Sequence, residues 1–212
     1  MALAKMSWDE LNQLVGYKRS EPFDEYFEPM QISEEQKEER IALAERLYEV
    51  FVGLLLECFY ADQLDTVIDA DIHDRTRNAY LDAVEGSAVL DDYIYDHAIE
   101  IIETVIQVLQ RHDDDPYYYS DDRGRVIAEN ESNLIIGHEE LEEAMASGYR
   151  YKTWNTIMDG RERDSHAEVN GTTIPIDEPF ELAGGLMMQP LDSSLGASDE
   201  EICGCRCSCS YS

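Results

Sequence analysis

The sequence predicts an α+β protein, with a mainly helical N-terminal half followed by a small C-terminal α+β module of short strands. Two observations carry this reading. Between residues 33 and 110 apolar side chains recur three and four positions apart, the period of a helical face. After Gly148 the texture changes to alternation between polar and apolar residues, punctuated by Gly and Pro. The resulting organisation is an N-terminal arm over 1–32, a helical region over 33–115 and a C-terminal module over 116–212.

In the arm, a short helix is expected over 9–15, broken by Gly16, Pro22 and Pro29, with Phe23, Tyr26 and Phe27 as aromatic anchors. Ser33 and Gln36 have the spacing of a capping box and open a helix over 33–60. Its apolar face is Ala44, Leu47, Tyr48, Phe51, Leu54, Leu55 and Cys58, which makes Cys58 a small buried hydrophobe. A second helix is expected over 64–84, with Val67 and Tyr80 on its weaker face. A third spans 91–110, with Ile94, Ala98, Ile101, Ile102, Val105 and Leu109 as its stripe. His73 and His97 lie on or beside these stripes without further ligands at metal-site spacing, so they read as packed or surface residues. Pro116 stops the third helix. Asp113, Asp114 and Asp115 lack the alternating oxygens, central Gly and terminal Glu of a calcium loop, and read as a solvated linker. Helix resumes at Ser120 and runs to about residue 136, and a separate helix is expected over 139–147, closed by Gly148 in a left-handed cap. Strands are expected over 149–154 and 172–176, with further alternation near residue 211.

Charge narrows the function. The chain carries 47 acidic against 16 basic residues, a net charge of -31, and such a field repels phosphate backbones. Autonomous nucleic-acid binding is therefore not expected. An apolar content of 43% over 212 residues argues for a packed core. The most apolar stretch, 50–59, is short and interrupted by Glu57, so no membrane span is expected. The first residues lack a signal-peptide pattern, which points to a reducing cytoplasm in which cysteines are thiols or ligands.

Chemistry concentrates in 154–211. In an extended chain Arg161 and Arg163 would face one way and Glu162 and Asp164 the other, an arrangement suited to Arg–carboxylate pairs that brace loops. His166 reads as part of that network, as a metal ligand, or as a general base oriented by Asp159 or Asp164. Cys203, Cys205, Cys207 and Cys209 would share one face of a regular strand, about 6.6 Å apart, too far for joint zinc ligation without a turn. Gly204 supplies a place for that turn, and His166 with two or three of these thiolates would form a tetrahedral zinc site. The alternative is a buried row of thiols with no cofactor.

The order Arg125-Val-Ile-Ala-Glu-Asn-Glu-Ser-Asn133, Trp154, Asp159, Arg161, Arg163, His166, Gly171, Phe180, Pro190, Glu201 and Cys205-Arg206-Cys207 resembles the phage minor head protein family, also called Mu F-like or head morphogenesis proteins. Gly204 replaces the Asn that members commonly carry there, and Cys203 and Cys209 are additions to the pattern. The resemblance implies a non-enzymatic virion protein acting in capsid assembly at or near the portal. Its partners would be portal, major capsid or scaffold protein, and its location the virion head after assembly in host cytoplasm. The polar cluster alone supports another class, a metal-dependent hydrolase or toxin-like enzyme using His166. On the charge argument, the purified protein is expected to pass through DNA-cellulose at physiological salt; salt-sensitive retention would contradict it.

Overall fold

A computed structural model describes residues 23–64 and 70–212, together with the single positions 7, 10, 13 and 68. The helix expected over 9–15 and Val67 fall outside the two continuous stretches. The fold is α+β. In order it comprises α1 (Asp24–Phe27), α2 (Glu34–Gln63), α3 (Ala70–Val84), α4 (Asp92–Arg111), a 3-10 turn (Pro116–Tyr119) and α5 (Asp121–Ala146). There follow β1 (Tyr151–Asn155), α6 (Asp164–Val169), β2 (Thr173–Pro175), β3 (Phe180–Leu182), β4 (Gly185–Met187), α7 (Asp199–Ile202) and β5 (Ser208–Tyr211). Two compact units form. Leu43–Ala128 belongs to one; Phe23–Ala42 joins Glu129–Ser212 in the other, so the division falls inside α2 and α5. Among the described residues no helix is long and apolar enough to cross a membrane.

The helical unit is built as its periodicity requires. Leu47, Phe51, Leu54, Leu55 and Phe59 of α2, Tyr80 and Val84 of α3, and Ile94, Ala98, Ile102, Val105 and Leu109 of α4 are buried. Asp91 caps α4 by accepting from the Ile94 amide at 2.9 Å. Gly124 lets α5 approach α2, since a Cβ there would stand 2.8 Å from Val52 Cγ2. Cys58 is buried, and burial pushes its thiol up to about 12, which leaves it inert. His97 is buried and stacked on Tyr93, with ring centres 6.0 Å apart.

In the second unit the capping box forms as expected: the Ser33 amide donates to Gln36 Oε1 at 2.9 Å and the Gln36 amide to Ser33 Oγ at 3.2 Å. One turn later Arg40, 1% exposed, donates from Nη1 and Nη2 to the two oxygens of Glu140 at 2.9 and 2.8 Å, and from Nε to Asn133 Oδ1 at 3.0 Å. This bidentate pair fastens the start of α2 to α5.

The break expected near residues 136–139 is absent, and α5 runs unbroken from Asp121 to Ala146. Gly137 lies within it, next to Gln189, whose Oε1 would stand 3.1 Å from a Cβ at that position. The helix ends where Gly148 adopts φ 81°, and the Tyr149 amide returns to Ala144 O at 3.1 Å, the long bond of a Schellman cap.

Past that cap the chain forms an antiparallel sheet in the order β2-β1-β5 and a separate hairpin, β3-β4. Central β1 pairs Lys152 with Tyr211 and Trp154 with Cys209. Leu141 and Ala144 of α5 pack with Ile176, Met188 and Tyr211 beneath it. Lys152 is fully buried, its ammonium donating to Met188 O at 2.7 Å, and burial lowers its pKa.

Glu140→Ala, by leaving the Arg40 guanidinium buried without its counter-charge, is expected to cost about 3 kcal/mol in urea unfolding. Replacing both partners, Arg40→Met with Glu140→Leu, should cost markedly less.

Candidate functional site

Trp154 is the anchor. Fully buried at the end of β1, it meets Phe180 and His166 edge-on, with ring centres 5.1 and 5.5 Å away. Its Nε1 donates to Thr156 Oγ1 at 3.0 Å, and that hydroxyl donates to the His166 carbonyl at 2.8 Å. The Thr156 amide donates to Asn170 Oδ1 at 2.9 Å, and the Gly171 amide to Trp154 O at 2.8 Å. Gly171 adopts φ 75°, a left-handed turn that favours glycine. These bonds hold the middle and the C-terminal end of α6 to Trp154 and Thr156 at the end of β1.

On α6, His166 is 2% exposed. Its Nδ1 lies 3.3 Å from Cys207 Sγ and 3.6 Å from Cys205 Sγ. Its Nε2 lies 2.9 Å from Glu201 Oε2, a close contact whose angle departs from that of a hydrogen bond. Glu201 is itself fixed, accepting from Ser165 Oγ at 2.7 Å and from the Gly184 amide at 2.9 Å. Burial opposes its charge, yet the Ser165 hydroxyl, the His166 ring and the Gly184 amide outweigh burial and hold the carboxyl below its ordinary value.

The thiols arrive through a turn. α7 ends at Ile202, Cys203 caps it, and Gly204 takes φ 69°. Cys205 and Cys207 then face inward while Tyr26 Oη donates to Cys205 O and Asn133 Nδ2 donates to Cys207 O at 3.2 Å. The two thiols titrate as a pair: a hydrogen bond from Cys205 stabilises the Cys207 thiolate, with His166 adding to it. Cys205 accordingly keeps its proton well above the usual range.

His166, Cys205 and Cys207 thus offer three ligand atoms, all within 4.8 Å of one another. A cavity of about 20 Å³ touches them and Thr156, Arg163 and Arg206; it has room for one water-sized body. Cys203 and Cys209 are not part of this group. Cys203 is exposed, its carbonyl accepting from Arg163 Nη2, while Cys209 lies in β5 opposite Trp154, where burial pushes its thiol up to about 12. The single thiol face expected of 203–209 does not form, because only Ser208–Tyr211 is strand.

The polar cluster is rearranged as well. Arg163 precedes α6 and Asp164 is already its first residue, so neither Glu162 nor Asp164 pairs with Arg161. Asp159 does so instead, accepting at Oδ2 from Arg161 Nη2 and Arg206 Nη2, both at 2.9 Å. These two guanidiniums, Arg161 first, hold the Asp159 carboxyl well below the usual carboxylate range. Pro190 and Phe180 are buried, consistent with packing roles.

Sequence reasoning missed Thr156, and it read Tyr26 only as an aromatic anchor and Asn133 only as part of the family order; their bonds to His166, Cys205 and Cys207 reach across 10, 179 and 74 residues. Glu201 was visible in the motif order, but its place behind His166 was not.

Thr156→Val keeps the volume but leaves Trp154 Nε1 and the His166 carbonyl without their partner. About 2 kcal/mol or more of stability is expected to be lost in denaturant titration.

Searches of curated proteins and of solved structures returned no match. The family described as Phage Mu protein F like protein matches residues 97–210, more than half of the chain. That stretch holds Trp154, His166, Glu201, Cys205 and Cys207 together, and the chain belongs to the Phage Mu F-like family.

Proposed function

We propose that this chain is a minor head protein of a phage, a structural component that acts in capsid assembly at or near the portal. Family membership carries the reading, since the matched residues 97–210 include the whole buried cluster. The burial of that cluster supports a non-enzymatic role. His166, Cys205 and Cys207 are 2%, 1% and 3% exposed, and a cavity of about 20 Å³ has no space for a substrate. His166 has thiols at one ring nitrogen and a carboxylate at the other, which leaves it poorly placed to take a proton from an outside molecule.

The net charge of -31 suits a protein that works beside packaged DNA without adhering to it. Its partners are portal, major capsid or scaffold protein, which it meets in host cytoplasm during assembly before residing in the virion head. Acidic helices offer surfaces for docking on basic or mixed patches of those proteins.

Co-expression with portal, scaffold and major capsid protein tests this directly. The chain is expected to co-purify with heads and to be retained by immobilised portal; its absence from heads would overturn the proposal. His166→Ala should lower both stability and incorporation, whereas unchanged stability with loss of a hydrolytic activity would favour an enzyme.

A further inference from the structure

We propose that His166, Cys205 and Cys207 bind one zinc ion, with Glu201 steadying the imidazole from behind and a water completing the coordination. The ion would act as a structural clamp joining α6 to the 203–207 turn.

The argument is first geometric. Zinc bonds of about 2.3 Å to sulfur and about 2.0–2.1 Å to nitrogen, at a tetrahedral angle, require nitrogen–sulfur separations of about 3.6 Å. The observed separations from Nδ1 are 3.3 and 3.6 Å. All three ligand atoms lie within 4.8 Å of one another, and they converge from two separate elements whose positions are fixed by other bonds. Thr156 holds the His166 carbonyl, while Tyr26 and Asn133 hold the carbonyls of Cys205 and Cys207.

The second argument is the environment of the histidine. Metal-bound imidazoles commonly turn their second nitrogen to a carboxylate, which fixes the ring and raises its basicity. Glu201 Oε2 stands 2.9 Å from Nε2, and its two oxygens are already tied to Ser165 and Gly184. A small rotation of the ring within that cage would align the contact. The cavity of about 20 Å³ beside the three donors accommodates the water that three protein ligands leave to be supplied.

The same three groups, with Glu201, also have the order of a thiol nucleophile, base and orienter. Burial opposes that reading, because a nucleophile 3% exposed beside an opening of about 20 Å³ meets little more than a water-sized body. Two adjacent thiols could alternatively close a disulfide. Both readings become outcomes of the experiment.

The full chain is purified anaerobically, with a thiol reductant and without chelator, and its metal content is measured by elemental analysis. About one zinc per chain is expected of such a site. Cobalt exchanged into it should give the intense visible bands and sulfur charge-transfer absorption of a tetrahedral thiolate site. Cys203→Ser should retain the metal, while Cys205→Ser and Cys207→Ser should lose it. Glu201→Gln should bind cobalt about 10- to 100-fold more weakly in chelator competition. As a control for misfolding of the serine variants, the wild-type protein is also stripped with chelator: its melting temperature should fall and return with zinc but not magnesium.

A zinc-to-chain ratio below about 0.2 overturns the proposal, judged against the single ion of a complete site. So does retention of zinc by Cys207→Ser, a Cys205–Cys207 disulfide in protein kept reduced, or rapid selective alkylation of Cys207 in metal-free native protein. The inference stands apart from the assembly role. Zinc-free chains found in heads would overturn only the clamp, and zinc-bearing chains excluded from heads would overturn only the assembly role.

Discussion

The antiparallel pairing of β1 with β5 is the constraint on which the strand module depends. Once Trp154 lies opposite Cys209 and Asn155 opposite Ser208, the residues just before β5 must pass over the end of β1. α6 is held at that same end by Thr156, Asn170 and Gly171. Two pieces of chain that are forty residues apart are thereby brought to one place, and the thiols meet His166 without a loop of their own to steer them. The left-handed turn at Gly204 finishes the job by turning Cys205 inward and leaving Cys203 outside.

Local signals in the sequence were legible. The capping box at Ser33, the stop at Pro116, the stripe of α4 and the left-handed Gly148 each depend on a few neighbouring residues, and each appears where the spacing puts it. The helices expected over 120–136 and 139–147 are a single helix, and nothing local shows that the turn between them continues. The β3-β4 hairpin went unread because strands of three residues are too short to display alternation. For the site, the residue types and the turn at Gly204 could be read in advance, whereas the selection of Cys205 and Cys207 over Cys203 and Cys209 could not. That choice follows from where the strand begins, which is decided by pairing with β1.

The module also buries polar and charged groups freely. Arg40, Lys152, His166 and Glu201 are all under 9% exposed, and each has an oxygen or sulfur partner near its charged end. Such contacts contribute little net stability compared with apolar packing, since desolvation offsets most of the attraction. They are demanding about geometry, however. An Arg fork or a histidine between a carboxylate and two thiols fits one arrangement and penalises its neighbours. A small module with short strands and few apolar layers gains definition from these contacts that its core alone would not provide.

The distance in sequence between the partners has a consequence for synthesis. Tyr26 bonds to Cys205, 179 residues later, and β1 gains its β5 neighbour only when residues 208–211 exist. A ribosome that has released β1 and β2 has therefore made a sheet in which β1, later the central strand, is still an unpaired edge, and such edges are templates for mispairing between nascent chains. The helical unit, rich in local contacts, can settle meanwhile. Folding of the module thus waits for residues 208–211, and ribosomes stalled before residue 208 would carry chains whose half-built sheet is exposed to chaperones and to one another.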